Sequence, residues 1–110
     1  MGFLLPTDSQ RRLNQMDLRL RILQILYWQP GYTINQEVLL LALYEQGHAI
    51  SLDRLYVELG WLDQVTNALV YRKPGRTCVV TLTNAGLDII RGVMVIDGIR
   101  RPLPDELLMP

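Results

Sequence analysis

Three observations predict an α+β fold, mainly α, for this chain. Residues 51–86 read as a helix, a two-stranded hairpin with a basic tip, and a second helix opened by Thr83. Two more helical patterns lie upstream, separated by Pro30-Gly31 and closed by Gly47. The chain has 110 residues, of which 49% are hydrophobic, enough for one domain with a single packed core. Three helices, a basic hairpin, a short fourth helix and an extended C-terminal segment follow the order of a winged helix-turn-helix domain. The expected division is an N-terminal arm over 1–8, the winged helix-turn-helix domain over 9–92, and an extended segment or small hairpin over 93–110.

Thr7, Asp8 or Ser9 can cap a first helix that runs to about Trp28. Leu13, Met16, Leu20, Leu23 and Tyr27 recur at helical spacing, and Leu18, Ile22, Ile25 and Leu26 widen the apolar stripe in the later turns. A helix apolar on nearly all sides must be covered on all sides, by other helices or by a second subunit. Pro30-Gly31 stops it. Asn35 can cap a second helix over about Gln36–Gln46, with Gly47 as its stop. Val38, Leu39, Leu40, Leu41, Ala42 and Tyr44 predict strong burial there.

The turn Gly47-His48-Ala49-Ile50 is short, as a helix-turn-helix requires. Ser51 caps the third helix, Ile50 and Leu55 suit a hydrophobic staple, and Leu52, Leu55, Leu59 and Leu62 form its inward stripe. Asn67 suits the left-handed conformation that ends a helix. Strands are expected at about Ala68–Lys73 and Thr77–Leu82, joined through Pro74-Gly75 in a type II turn. Thr83 caps a fourth helix reaching Arg91. Asp97-Gly98 is a hairpin-turn dipeptide between Val93–Ile96 and Ile99–Arg101, which suit a small ribbon or an extended tail, and Pro102-Leu103-Pro104 forbids helix there.

Eleven basic and eleven acidic residues cancel, and the pI is about 6.5. DNA-binding modules usually carry a basic excess, so any phosphate contact must come from local clusters. Arg11, Arg12, Arg19 and Arg21 lie on the first helix, and Arg72, Lys73 and Arg76 at the hairpin tip. The lone Cys78 excludes an internal disulfide and reads as a small buried hydrophobe in a strand. No stretch reaches the roughly 20 apolar residues of a membrane span, and Phe3-Leu4-Leu5 is too short for a signal-peptide core. A reduced, cytoplasmic setting without a membrane partner is expected.

Four pieces carry a resemblance. They are Ser51-x-Asp53-Arg54, Leu59-x-Trp61-Leu62, Val79-Val80-x-Leu82-Thr83-x-x-Gly86-x-Asp88 and Gly98-Ile99-x-Arg101-Pro102. On these, the chain from about Gln10 to Pro104 resembles a family of small winged-helix proteins encoded by Mu-like phages and prophages. The resemblance implies a phage-encoded winged-helix protein that is expected to bind DNA, in a family with no established enzymatic activity.

Candidate DNA contacts are Ser51, Asp53, Arg54 and Val57 on the third helix and Arg72, Lys73, Arg76 and Thr77 on the hairpin. Arg54 suits guanine or phosphate, or else pairs with Glu58 one turn on. The hairpin cations can reach a minor groove or its phosphates, or else keep an edge hairpin from aggregating. Arg12 and Arg19, seven residues apart, suit further phosphate contacts or a solvated face. Ile22, Ile25 and Leu26 are candidates for a dimer contact, and Trp61 for packing on the wing or a partner. The expected partners are double-stranded DNA and a second copy, with another phage or host protein as the alternative.

His48, the only histidine, reads as a surface or helix-terminus residue, since no Cys or second His stands by to complete a metal site. No Gly-rich phosphate loop, G-x-S-x-G or H-E-x-x-H occurs, so no cofactor, metal or catalytic role is expected.

Overall fold

The computed structural model describes residues 7–73 and 75–107. Helix α1 spans Asp8–Trp28 and is opened by a reciprocal cap. Thr7 Oγ1 accepts from the Gln10 amide at 3.1 Å, and Gln10 Oε1 accepts from the Thr7 amide at 2.8 Å. Its second half enters the core through Leu18, Leu20, Ile22, Leu23, Ile25 and Leu26. Its first half stands clear, and Leu13, expected on the apolar stripe, is 61% exposed. A 3-10 turn at Pro30–Tyr32 ends α1, with Gly31 at φ 65° and Tyr32 at φ 57°. Tyr32 stacks on Tyr27, ring centroids 6.1 Å apart.

The next element is a strand that the sequence does not announce, β1 (Thr33–Asn35). Three residues between a Pro-Gly stop and a helix cap are too few to show an alternation. Only pairing reveals it, with Thr33 opposite Thr81 and Ile34 opposite Val80. Helix α2 (Gln36–Glu45) follows, its Asn35 cap accepting from the Val38 amide. Gly47 turns the chain at φ 93°, and Ser51 caps α3 (Leu52–Gln64) through the Arg54 amide. Asn67 takes φ 55°, the left-handed exit expected of it.

Strands β2 (Leu69–Arg72) and β3 (Val79–Leu82) form an antiparallel hairpin, and β3 is central in the order β1-β3-β2. Both strands are shorter than expected, because pairing ends at Arg72 opposite Val79. Cys78 therefore lies half-buried in the loop rather than in a strand. Gly75 has φ 64°, as the third position of a type II turn demands, while Pro74 lies outside the described residues. Thr83 caps α4 (Asn84–Ile90), and its hydroxyl also donates to the Asn67 carbonyl at 2.6 Å. One side chain thus fastens the start of α4 to the end of α3.

Burial departs from expectation on α2 and α3, and on α1 it accounts for the candidate dimer contacts. On α2 only Gln36, Leu39 and Leu43 are buried; Val38, Leu41 and Tyr44 are 46%, 65% and 68% exposed. One side of α2 satisfies the core, and the surplus apolar residues face outward. Leu52 is exposed, because the buried face of α3 is set by Leu55, Glu58, Leu59 and Leu62. Ile22, Ile25 and Leu26 are buried in the core of their own chain, beneath α2, α4 and the sheet, so they offer nothing to a second copy.

Among the described residues the C-terminal segment forms no ribbon. The amides of Val93 and Met94 both donate to the Asp88 carbonyl, which folds that stretch back on the end of α4. Asp97-Gly98 does turn, with Gly98 at φ 97°, but the chain beyond it lies along α1. Ile99 is buried, and the Arg100 amide donates to the Met16 carbonyl at 3.2 Å. One helical turn, α5 (Pro104–Leu107), then starts on Pro104 itself, against the expectation that Pro102-Leu103-Pro104 forbids helix. Proline suits a first helical position, whose amide would have no partner anyway.

Candidate functional site

Helix α3 and the β2–β3 hairpin meet along one cleft of about 400 Å³. Leu52, Asp53 and Tyr56 line it from α3, and Tyr71, Lys73 and Cys78 from the hairpin. Tyr56 meets Tyr71 edge-on, centroids 5.7 Å apart. Asp63 accepts from the Tyr71 amide at 3.2 Å, and the Tyr71 hydroxyl donates to Gln36 Oε1. Burial, with the neighbouring Cys78, pushes the Tyr71 hydroxyl well above its ordinary pKa, so it stays a neutral donor. These bonds fix the hairpin base against α3 and α2.

The hairpin tip carries the candidate cations. Arg72, Lys73, Arg76 and Thr77 are exposed, and the three cations make no ion pair among the described residues. The exposed crest of α3 carries Asp53 and Val57, with Val57 64% exposed. Ser51 is exposed too, but its hydroxyl oxygen is engaged as the cap.

The other flank of α3 faces α1, and here the structure departs from expectation. Glu58 is 1% exposed and accepts from Arg19 Nε at 2.7 Å, Gln15 Nε2 at 3.1 Å and Arg54 Nε at 3.0 Å. Burial alone would raise the Glu58 carboxyl; the hydrogen bonds from Arg19, Gln15 and Arg54 outweigh it and hold the group below the usual carboxylate range. Arg19 is therefore spent internally and is not a phosphate contact. Its guanidinium also lies 3.7 Å from the Trp61 ring centroid and donates to the Gly98 carbonyl. Trp61 packs on Arg19 and Gly98. Arg54 is held by Glu58, the pairing that the sequence left open against a nucleic-acid contact.

His48 is buried rather than superficial, its Nε2 2.7 Å from Asp17 Oδ2. Asp17 also accepts from Arg100 Nε at 2.7 Å, and Arg100 in turn donates to both Glu106 oxygens at 2.8 and 3.0 Å. Burial would raise the Asp17 carboxyl, but His48, Arg100 and Arg21 hold it below its ordinary range. The Arg100 hydrogen bond, against burial and with help from Gln24 and the Leu103 amide, holds Glu106 down to about 2. Asp17, Arg100 and Glu106 are the buckle that fastens the C-terminal segment to α1. Sequence reading missed this buckle and the Glu58 centre. The i, i+4 spacings Arg54–Glu58 and Asp17–Arg21 and the short Arg100–Glu106 separation were the local signals, while the contacts that bring α1 to α3, to His48 and to the C-terminal segment span 31 to 83 positions in sequence.

Among the described residues no group of three His, Cys, Asp or Glu side chains could hold a metal ion, and no helix is long and apolar enough to cross a membrane. No family model, curated protein or solved structure matches the chain.

Proposed function

We propose that this chain is a winged-helix protein of phage or prophage origin that binds double-stranded DNA, acting as a dimer in transcription control or DNA recognition in the host cytoplasm. No catalytic step is part of the proposal. What carries it is the hairpin: Arg72, Lys73 and Arg76 are exposed and make no ion pair among the described residues, and Lys73 lines one cleft with Asp53 of the α3 crest. Cations at a stiff turn suit phosphate, and Asp53 and Val57 suit a cytosine amino group and a thymine methyl in the major groove. The net charge of zero is no obstacle when cations gather on one side, because binding depends on the charge facing the phosphates.

The test is a titration of duplex DNA at several salt concentrations, with a pool of fragments from the source genome to find the preferred site. Three phosphate contacts give a log-log salt slope of about −2.7 per subunit. The Arg72→Ala, Lys73→Ala, Arg76→Ala triple variant is expected to lose that slope. Unchanged affinity in the triple variant would refute the wing as a DNA contact.

A second reading, a protein-interaction module, draws on one observation: the outward stripe of Val38, Leu41 and Tyr44 on α2. The same stripe is apolar surface left for a dimer now that Ile22, Ile25 and Leu26 are accounted for. Absence of any DNA retention at low salt would favour the module.

A further inference from the structure

We infer that the cleft between the N-terminal half of α1 and the start of α3 is a second phosphate-binding site, in which Arg54, oriented by the buried Glu58, faces Arg11 and Arg12. The inference deepens the DNA-binding proposal and depends on it only for the source of the phosphate. The cleft measures about 460 Å³, and Arg11, Arg12, Gln15 and Arg54 line it. Arg54 is tied to Glu58 through Nε alone, at 3.0 Å. Its two terminal amino groups make no hydrogen bond among the described residues, and the side chain is 45% exposed. A guanidinium anchored by Nε on a buried carboxylate presents its remaining edge in a fixed direction, the geometry that binds two oxygens of one phosphate.

Charge at the cleft is available rather than spent. Glu58 is shared by two guanidinium groups, Arg19 and Arg54, so that centre keeps one net positive charge. Among the described residues Arg12 pairs with the exposed Asp97 alone, at 3.3 Å, and Arg11 with the exposed Asp8 alone, at 4.0 Å. Exposed pairs of this kind are weak and are readily exchanged for phosphate. Placement agrees with the ligand. Leu52 and Tyr56 face the hairpin side of α3 and Arg54 faces the α1 side, so the crest with Asp53 and Val57 runs between two cationic flanks. A duplex offers the same arrangement, a readable groove between two phosphate backbones.

Two titrations of the full chain test this site. In the first, inorganic phosphate is added to isotopically labelled protein, and the Arg54 Nε–H and Gln15 side-chain amide resonances are followed by NMR. Both are expected to shift saturably, and the Arg11→Ala, Arg12→Ala variant to bind several-fold more weakly. Arg54→Lys keeps the charge but not the fork, and is expected to weaken phosphate binding comparably. In the second, duplex DNA is titrated at several salt concentrations. Arg11→Ala, Arg12→Ala should reduce the salt slope by up to about 1.8, separately from the loss in the wing variant.

Saturable phosphate binding without duplex binding would keep the site, assign it a free phosphate and remove the DNA proposal. Duplex binding that only the wing variant weakens, with Arg54 and Gln15 unmoved by phosphate, would overturn the site and leave the DNA proposal standing. Arg54→Lys binding phosphate as tightly as the parent would overturn the orienting role of Glu58.

Discussion

Gly86 stands where α4 crosses the start of the hairpin, and a Cβ there would lie 2.1 Å from the Ala68 carbonyl oxygen and 2.5 Å from Leu82 Cδ1. Backbone cannot retreat as a flexible side chain can, so α4 would have to move. Gly86→Ala is expected to cost at least about 2 kcal/mol, read as a lower urea midpoint at unchanged m value. The Leu82-Thr83-x-x-Gly86 spacing thus has a physical basis: Leu82 packs, Thr83 caps α4 and holds Asn67, and Gly86 permits the close crossing. Gly98 has a similar constraint, since its Cβ would meet Arg19 Nη1 at 3.0 Å and the Trp61 ring at 3.2 Å. The caps at Ser51 and Thr83 and the left-handed exit at Asn67 were legible in sequence because each acts on neighbours within a few residues, whereas the Thr83–Asn67 bond spans 16 positions and was not. The full roles of Glu58, His48 and Asp17 were not, because Arg19 and Gln15, Asp17, and Arg100 and His48 respectively reach them from other elements.

At the scale of elements, the C-terminal segment is the clearest case of tertiary contacts overriding local signals. Asp97-Gly98 promised a hairpin, yet the flanks bind α1 and α4, which satisfy their polar groups and bury Ile99. The Asp17–Arg100–Glu106 buckle makes that attachment sensitive to acid. The Glu106 pKa falls from 4.5 to about 2 on folding, so its contribution is complete above the unfolded value and is lost as pH falls through the folded one. The contribution is at most about 3 kcal/mol. Urea denaturation from pH 6 to pH 2 should show stability falling below about pH 5, and Glu106→Gln should be less stable at neutral pH with a shallower fall. The remaining slope in that variant would come from Asp17 and Glu58, both depressed as well. Equal pH slopes in parent and variant would remove Glu106 from the account.

At the scale of the molecule, one core is built from α1, α2, α3, α4 and the sheet, and it closes within a single chain. Ile22→Ala should therefore cost about 2–5 kcal/mol by opening a cavity, with the sedimentation coefficient of the folded protein unchanged. Leu41→Glu should change stability by less than about 0.5 kcal/mol, because its side chain is exposed. If a dimer exists, the variant at Leu41 is the one expected to dissociate it. Sedimentation velocity on both variants separates a core role from an interface role. A monomer in the parent would confine α2's stripe to other partners.

Sequence by itself determined the number and order of the long elements, their caps and stops, the left-handed exit at Asn67 and the basic hairpin tip. Those features depend on contacts within a turn or two, and local chemistry suffices for them. Tertiary structure alone decided β1, the outward face of α2, the burial of Glu58 and His48, and the path of the C-terminal segment along α1. It also decided which arginines are spent and which remain available. The physical reason is that an apolar or charged residue records only a preference for burial or pairing. Whether the preference is met depends on what the rest of the chain brings within a few ångströms: Leu41 stays mostly exposed, while Arg19 finds Glu58, Trp61 and Gly98.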